Sequence, residues 1–510
     1  MKLLTALAVL ATGVSAQGQP EEGGNNNDFD EMGGMPSNTV SAEPYTITGT
    51  PCSESSIATD PKCTIWMINT DAATSVNIEN DGAQVVTNVE AVTVPEGDNP
   101  TYFTVYTSGI PDYSVLATQA LVDTLNARPM AATDFASGAT SVMPDEQPIS
   151  FGQDIGYVSQ GCDLGYWPPG PVCPNDVYKA VPFPLTPTPE ATTEEEQCDF
   201  GLGIIGLFVN GVSMFDWRDG FSYNGERVWS NIANQFEPLD LDVCGGHAAG
   251  EEYHHHGYST CLQDELQDDG TNGHSPIIGM MPDGNLNYGL YQDTGVKAQS
   301  CWKTRDYSNP DDPLGCGGTG SRTCVMVDNT DPTQGTMDAS SPGPSVTDEV
   351  ASLSSNVFVV TSGFYYEDYY FDPDCYAQGG EYLDEHNGHS HGDYGYHYHA
   401  TEAFPYLAGP DSYYGQVLLD EWTCGDIRPE GGPPGGSDGG PPNGGPPDGG
   451  PPDGGPPEGG DGPPPDGTPA PAPAEEGSAA ATEAPASAAT TVLHNFAPVV
   501  MSMLVVAHVI

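Results

Sequence analysis

Short runs of β-branched and aromatic residues recur through the middle of the chain, each cut off by Gly, Pro, Asn or Asp. Residues 63–68, 84–87, 101–106, 203–209 and 356–361 are of this kind. Apolar runs of this length between turn residues predict strands. Helical periodicity is weak, with residues 115–127 the best candidate. The pattern predicts a mainly β fold: one loop-rich, β-sandwich-like domain with few helices over residues 44–425, stapled by disulfides and flanked by disordered ends.

Both ends depart from that pattern. Residues 1–16 pair Met1-Lys2 with an apolar run from Leu3 and close on Val14-Ser15-Ala16, which predicts a secretory signal peptide. Residues 17–43, rich in Gly, Asn, Glu and Pro, have little to bury and are expected to be disordered. Residues 429–474 repeat Pro-Pro-x-Gly-Gly units and predict an extended stalk. In 475–510, the small residues Gly477-Ser478-Ala479 precede a spacer and an apolar tail from Val492, with no Lys or Arg beyond it. This order matches a GPI-attachment signal with Ser478 as acceptor. The chain is therefore expected to be secreted and held at the outer face of the plasma membrane or in the cell wall.

Charge and cysteine content sharpen this picture. Eleven Lys plus Arg face 72 Asp plus Glu, a formal charge of −61, which disfavours nucleic acid as a partner and favours cations. Twelve cysteines, an even number, in an oxidising compartment predict disulfides. Short spacings suggest Cys52 with Cys63, Cys162 with Cys173, Cys244 with Cys261, and Cys316 with Cys324.

The candidate chemistry is concentrated in histidine. Ten of the 12 histidines fall between His247 and His399, in two groups. One holds His247 and Tyr253-His254-His255-His256; the other holds His389 and Tyr396-His397-Tyr398-His399. On a strand, His397 and His399 share one face about 6.6 Å apart, and His254 and His256 repeat that spacing. Imidazoles so placed can converge on one metal at about 2.0–2.1 Å from each nitrogen. Two His-x-His segments facing one another across a shared pocket, with His247 and His389, would supply the nitrogen ligands of a copper or zinc ion. Glu252, Asp384 and Glu402 are the candidates to orient the rings from behind. His274, His386 and His391 read as solvated loop residues.

These stretches resemble the YHYH domain family. In order they are Gly109-Ile110-Pro111-Asp112-Tyr113, Val209-Asn210-Gly211-Val212, Cys244-Gly245-Gly246-His247 with Tyr253 to His256, Asp283-Gly284 to Tyr288-Gly289, Leu383 to His389, and Gly395 to Thr401. The resemblance runs over roughly residues 100–410 and departs at His255, where the family pattern has a second tyrosine. It implies a secreted domain and names no reaction. Three functions remain open: a metal-binding ectodomain; an enzyme, either a hydrolase using Glu251, Glu252 or Glu385 to activate water on zinc or an oxidase using tyrosines beside copper; and a binder of cell-wall polysaccharide through its tyrosines and tryptophans.

Overall fold

The β-branched runs build two main sheets in a computed structural model, which describes residues 45–424 apart from 71–73, 78–83, 98, 159–172, 194–195, 250, 353–354, 420–421 and 423. The expectations for 1–16, 17–43, 429–474 and 475–510, including Ser478, lie outside the described residues. Among the described residues, no helix is long and apolar enough to cross a membrane.

The smaller sheet holds β1 (Thr50–Pro51), β2 (Val89–Val94), β3 (Tyr102–Thr107) and β4 (Lys179–Pro184), antiparallel in that order. The larger has eight strands: β5 (Ile204–Phe208), β6 (Ser213–Phe215), β7 (Gly246–Ala249), β8 (Glu252–His255), β9 (Ile277–Met280), β10 (Leu286–Tyr288), β11 (Gly388–Ser390) and β12 (Tyr396–His399). Their order is β7-β8-β6-β5-β9-β10-β12-β11.

The larger sheet is covered on both faces, which explains why β5 is apolar and buried throughout. On one side Ile204, Leu207, Phe215 and Met280 share a core with Phe103, Val105 and Phe183 of the smaller sheet. On the other, Ile205, Phe208, Met214, Tyr253 and Tyr398 pack with Ile110, Tyr113 and Leu125. Each such fully buried side chain contributes about 1.5–3 kcal/mol. The fold is thus mainly β and sandwich-like.

Two local expectations fail for identifiable reasons. Residues 63–68 do not form a strand: Pro61–Thr64 is a helical turn, started by Pro61 and by the Asp60 carboxylate accepting from the Lys62 N–H. The helix expected over 115–127 spans only Gln119–Asn126, because Thr118 caps it and Ser114–Leu116 pairs as a strand with Pro148–Ser150. The disulfides Cys52–Cys63, Cys244–Cys261 and Cys316–Cys324 are present. Cys162 lies outside the described residues. Cys198–Cys424 and Cys301–Cys375 also pair, over separations of 226 and 74 residues that short-range spacing cannot suggest.

The larger sheet repeats itself about the β5–β9 junction. Leu207 opposes Met280 there. The pairs Gly206–Met214 and Leu207–Ser213 of β5 and β6 recur as Gly279–Asn287 and Met280–Leu286 of β9 and β10. The parallel pair Met214–His255 recurs as Asn287–Tyr398, and the antiparallel pair His247–His254 as His389–His397. Strand for strand, β5–β8 and β9–β12 are two copies of one half-sheet related by a pseudo-twofold axis.

Candidate metal centres

Side-chain alternation builds the first centre. Along β8, Tyr253 and His255 turn into the aromatic core of one face, so His254 and the following His256 turn to the other. His247 on β7 lies opposite His254, and the three rings cluster with centroids 4.6–5.5 Å apart. Phe215 of β6 stacks flat on His254 at 3.7 Å. All three histidines are buried.

β12 repeats the device. Tyr398 enters the core while His397 and His399 take the opposite face, their centroids 5.0 Å apart. Tyr288, at the position matching Phe215, stands in a T-shaped contact with His397 at 4.9 Å. His274, from the segment before β9, completes a cluster in which the donor nitrogens lie within 4.8 Å of one another. His389, the counterpart of His247, stands 4.9 and 5.2 Å from the rings of His397 and His399.

Backbone carbonyls set the tautomers. Nδ1–H of His254 donates to the Glu252 carbonyl, that of His256 to Asp216, that of His397 to Gly395 and that of His399 to Gly289. His274 and His389 donate in the same way to Ser275 and Gly380. A carbonyl only accepts, so Nδ1 carries the proton and Nε2 is left as a bare lone pair. Burial, followed by the neighbouring imidazoles, holds His247 and His254 well below the ordinary histidine range. Burial likewise brings His256 down to about 4 and His397 to about 3, and holds His399 well below the ordinary range. The rings are therefore neutral, and the Nε2 atoms of His254, His256, His274, His397 and His399 are acceptors with no proton to share, while the buried Nδ1 of His247 meets no carbonyl.

Those contacts are His254–His256 at 3.1 Å, His247–His256 at 3.4 Å, His397–His399 at 3.2 Å and His274–His397 at 3.3 Å. Ligands about 2.0–2.1 Å from a tetrahedral metal stand about 3.3–3.4 Å from each other. Both clusters could thus hold a metal ion, with two of the three nitrogen pairs in each at tetrahedral ligand spacing. Glu237 joins the first: one carboxylate oxygen lies 3.4 Å from His247 Nε2 and 3.8 Å from His256 Nε2, buried and without a hydrogen-bond partner. Burial and the adjacent Asp219 push its carboxyl well above the usual range.

The expected residues thus divide between two places. His254 and His256 do not share a pocket with His397 and His399. Four strands separate β8 from β12, about 24 Å at about 4.8 Å per step. His247 belongs with the first pair and His389 with the second. His274 is half-buried within the second cluster rather than solvated, because Ser275 anchors its ring and Tyr394 stacks on it at 4.2 Å. The carboxylates expected behind the rings are engaged elsewhere. Glu252 pairs with Lys179 and accepts from Ser213, Asp384 accepts from Tyr396 and from backbone N–H groups, and Glu402 pairs with Lys297. Glu237 gives no signal in the sequence. It sits alone after a short helical turn, and only the fold brings it to the histidines.

Comparison with known proteins returns one result. Residues 181–410 match the family described as YHYH protein, a stretch that contains the whole eight-stranded sheet and excludes the 109–113 segment. No curated protein matches the chain, and no solved structure does. Residues 181–410 are thus a YHYH domain, and this domain carries both histidine clusters.

Proposed function

We propose that this protein is an extracellular metal-binding protein that takes copper or zinc on the Nε2 atoms of its histidine clusters. The carrying observation is the set of neutral Nε2 atoms, those of His254, His256, His274, His397 and His399 each fixed from behind by a backbone carbonyl, with the contacting pairs spaced as tetrahedral ligands would be. A buried group of facing acceptors is costly unless a cation or a donor occupies its centre, and a cation satisfies all of them at once. The leader-like residues 1–16 and the anchor-like tail around Ser478 support display at the outer face of the plasma membrane or cell wall.

The test is elemental analysis of the purified chain after exposure to zinc or copper and gel filtration. The double variant His254→Ala, His397→Ala is expected to lose nearly all metal while keeping its near-ultraviolet circular dichroism. Unchanged metal content in a folded double variant sinks the reading.

A hydrolase or oxidase is the second reading, favoured by a cavity of about 590 Å³ against His389 and His391. Glu252 is a poor candidate to activate water there, since it is tied to Lys179 at 2.7 Å. Binding of cell-wall polysaccharide would draw on the tyrosines lining the same cavity and would be insensitive to chelators.

A further inference from the structure

The two half-sheets share their His-x-His scaffold, yet the donors completing each centre are unrelated by the repeat. Glu237 reaches the first centre from between β6 and β7, whereas His274 reaches the second from the segment before β9. In the first, His247 is a member of the cluster, and the buried Glu237 oxygen with no partner lies against His247 and His256. In the second, His274 holds the third place. The counterpart of His247, His389, keeps a buried Nε2 without a partner. His389 also lines the cavity of about 590 Å³ along β11, with His391, Tyr382 and Tyr414. Beyond it, the β11–β12 hairpin carries the half-exposed Tyr394 over His274.

We infer that the two centres have separate roles: Glu237 closes the first as its fourth ligand, while the second keeps a coordination position that a small anion or oxygen-donor ligand reaches from the cavity, past His389. This rests on the metal-binding reading. A carboxylate on three imidazoles completes a tetrahedron, and a closed set of four protein ligands is the arrangement of a structural metal. A site with three histidine ligands and an accessible fourth position is the arrangement that binds water or substrate. The first centre would then hold its end of the sheet together, and the second would do the chemistry.

The test uses the full chain loaded with cobalt(II), whose visible spectrum reports coordination, titrated with azide. Two cobalt ions per chain are expected, only one of them responding to azide. His397→Ala should leave one unresponsive ion, and His254→Ala one responsive ion. Glu237→Ala should raise the responsive count from one to two, a gain that misfolding cannot imitate. Azide response at both ions or at neither in the unmodified chain overturns the inference, as does a Glu237→Ala count that stays at one. Cobalt binding to neither centre of the unmodified chain overturns the metal-binding reading itself, a separate outcome.

Discussion

At one end of the eight-stranded sheet, Tyr253 donates to Asp242, Gly246 lies against that hydroxyl, and His254 and His256 turn to the far face. At the other end, Tyr396 donates to Asp384, Gly388 lies against that hydroxyl, and His397 and His399 do the same. Both halves share this frame: an aspartate that gathers the turn, a glycine that admits a tyrosine, and a strand whose alternate residues send a His-x-His pair to one face. They differ in what fills it. Tyr398 donates directly to Asp283 within its own half, while His255 and Asn210 at the matching positions share Tyr113, which comes from outside the repeat. The two halves agree in the parts that aim the histidines and differ in the core partners and in the outermost donors around each imidazole cluster.

The largest effect is expected where the frame is broken. Asp242 accepts from the N–H groups of Cys244 and Gly246 and from the Tyr253 hydroxyl at 2.5 Å. Asp384 accepts from the N–H groups of His386 and Gly388 and from Tyr396 at 3.2 Å. Removing either acceptor strands three donors, two of them backbone N–H groups, both buried at Asp242 and one of them buried at Asp384. Asp242→Ala should cost about 3–5 kcal/mol in urea unfolding, and Asp384→Ala somewhat less, given its longer tyrosine bond. A cost below about 1 kcal/mol for both would show that the turns hold without them.

Much of this was readable from the sequence, because the signals are local. Residues 84–87, 101–106, 203–209 and 356–361 contain strands where β-branched runs meet turn residues. The His-x-His alternation needs only the period of a strand. The short disulfides follow from proximity along the chain. The distance between the two His-x-His pairs is a different kind of fact. It depends on sheet order, set by two parallel crossovers from β6 to β8 and from β10 to β12, and no residue pattern encodes which strands become neighbours. A repeat was nevertheless visible. Asp242, Gly246-His247 and Tyr253-His254 recur in order as Asp384, Gly388-His389 and Tyr396-His397, and a pattern that occurs twice points to two similar sites rather than one shared site. His274 and Glu237 carry no such signature, being single residues that long-range packing alone brings in.

The difference between His255 and Tyr398 should be visible in acid. Burial brings His255 down to about 4, from an ordinary value of 6.5. In metal-free protein the unfolded chain takes up this proton near the ordinary value, while the folded chain refuses it until about pH 4. This residue therefore costs nothing above that range, and its destabilising effect grows as pH falls, reaching on the order of 3 kcal/mol at pH 4. Tyr398, neutral throughout, adds no such slope. With chelator present, His255→Gln should narrow the gap between stability at pH 7 and at pH 4 by about that amount. An unchanged gap would mean that His255 is not kept neutral by burial.

The smallest effect tests the glycines. A Cβ on either Gly246 or Gly388 would overlap the hydroxyl of the tyrosine against it, Tyr253 or Tyr396. What lies next differs between the halves. At Gly246 the added atom would also come within 2.7 Å of a ring carbon of His255, a side chain that can tilt. At Gly388 it would come within 2.8 Å of the His397 carbonyl oxygen, which belongs to the β11–β12 ladder and cannot move without shifting the strand. Alanine at either site should cost about 1–3 kcal/mol, with Gly388→Ala the dearer of the two. The consequences for metal should differ in the same sense. Displacing the His397 backbone moves a ligand of the second centre, whereas tilting His255 moves a ring on the opposite face from His254 and His256. Gly388→Ala should therefore weaken one of two bound metals in a competitive chelator titration, and Gly246→Ala should leave both nearly as tight as before. Equal weakening by the two substitutions would mean that the halves respond alike, and that backbone contact is not what separates them.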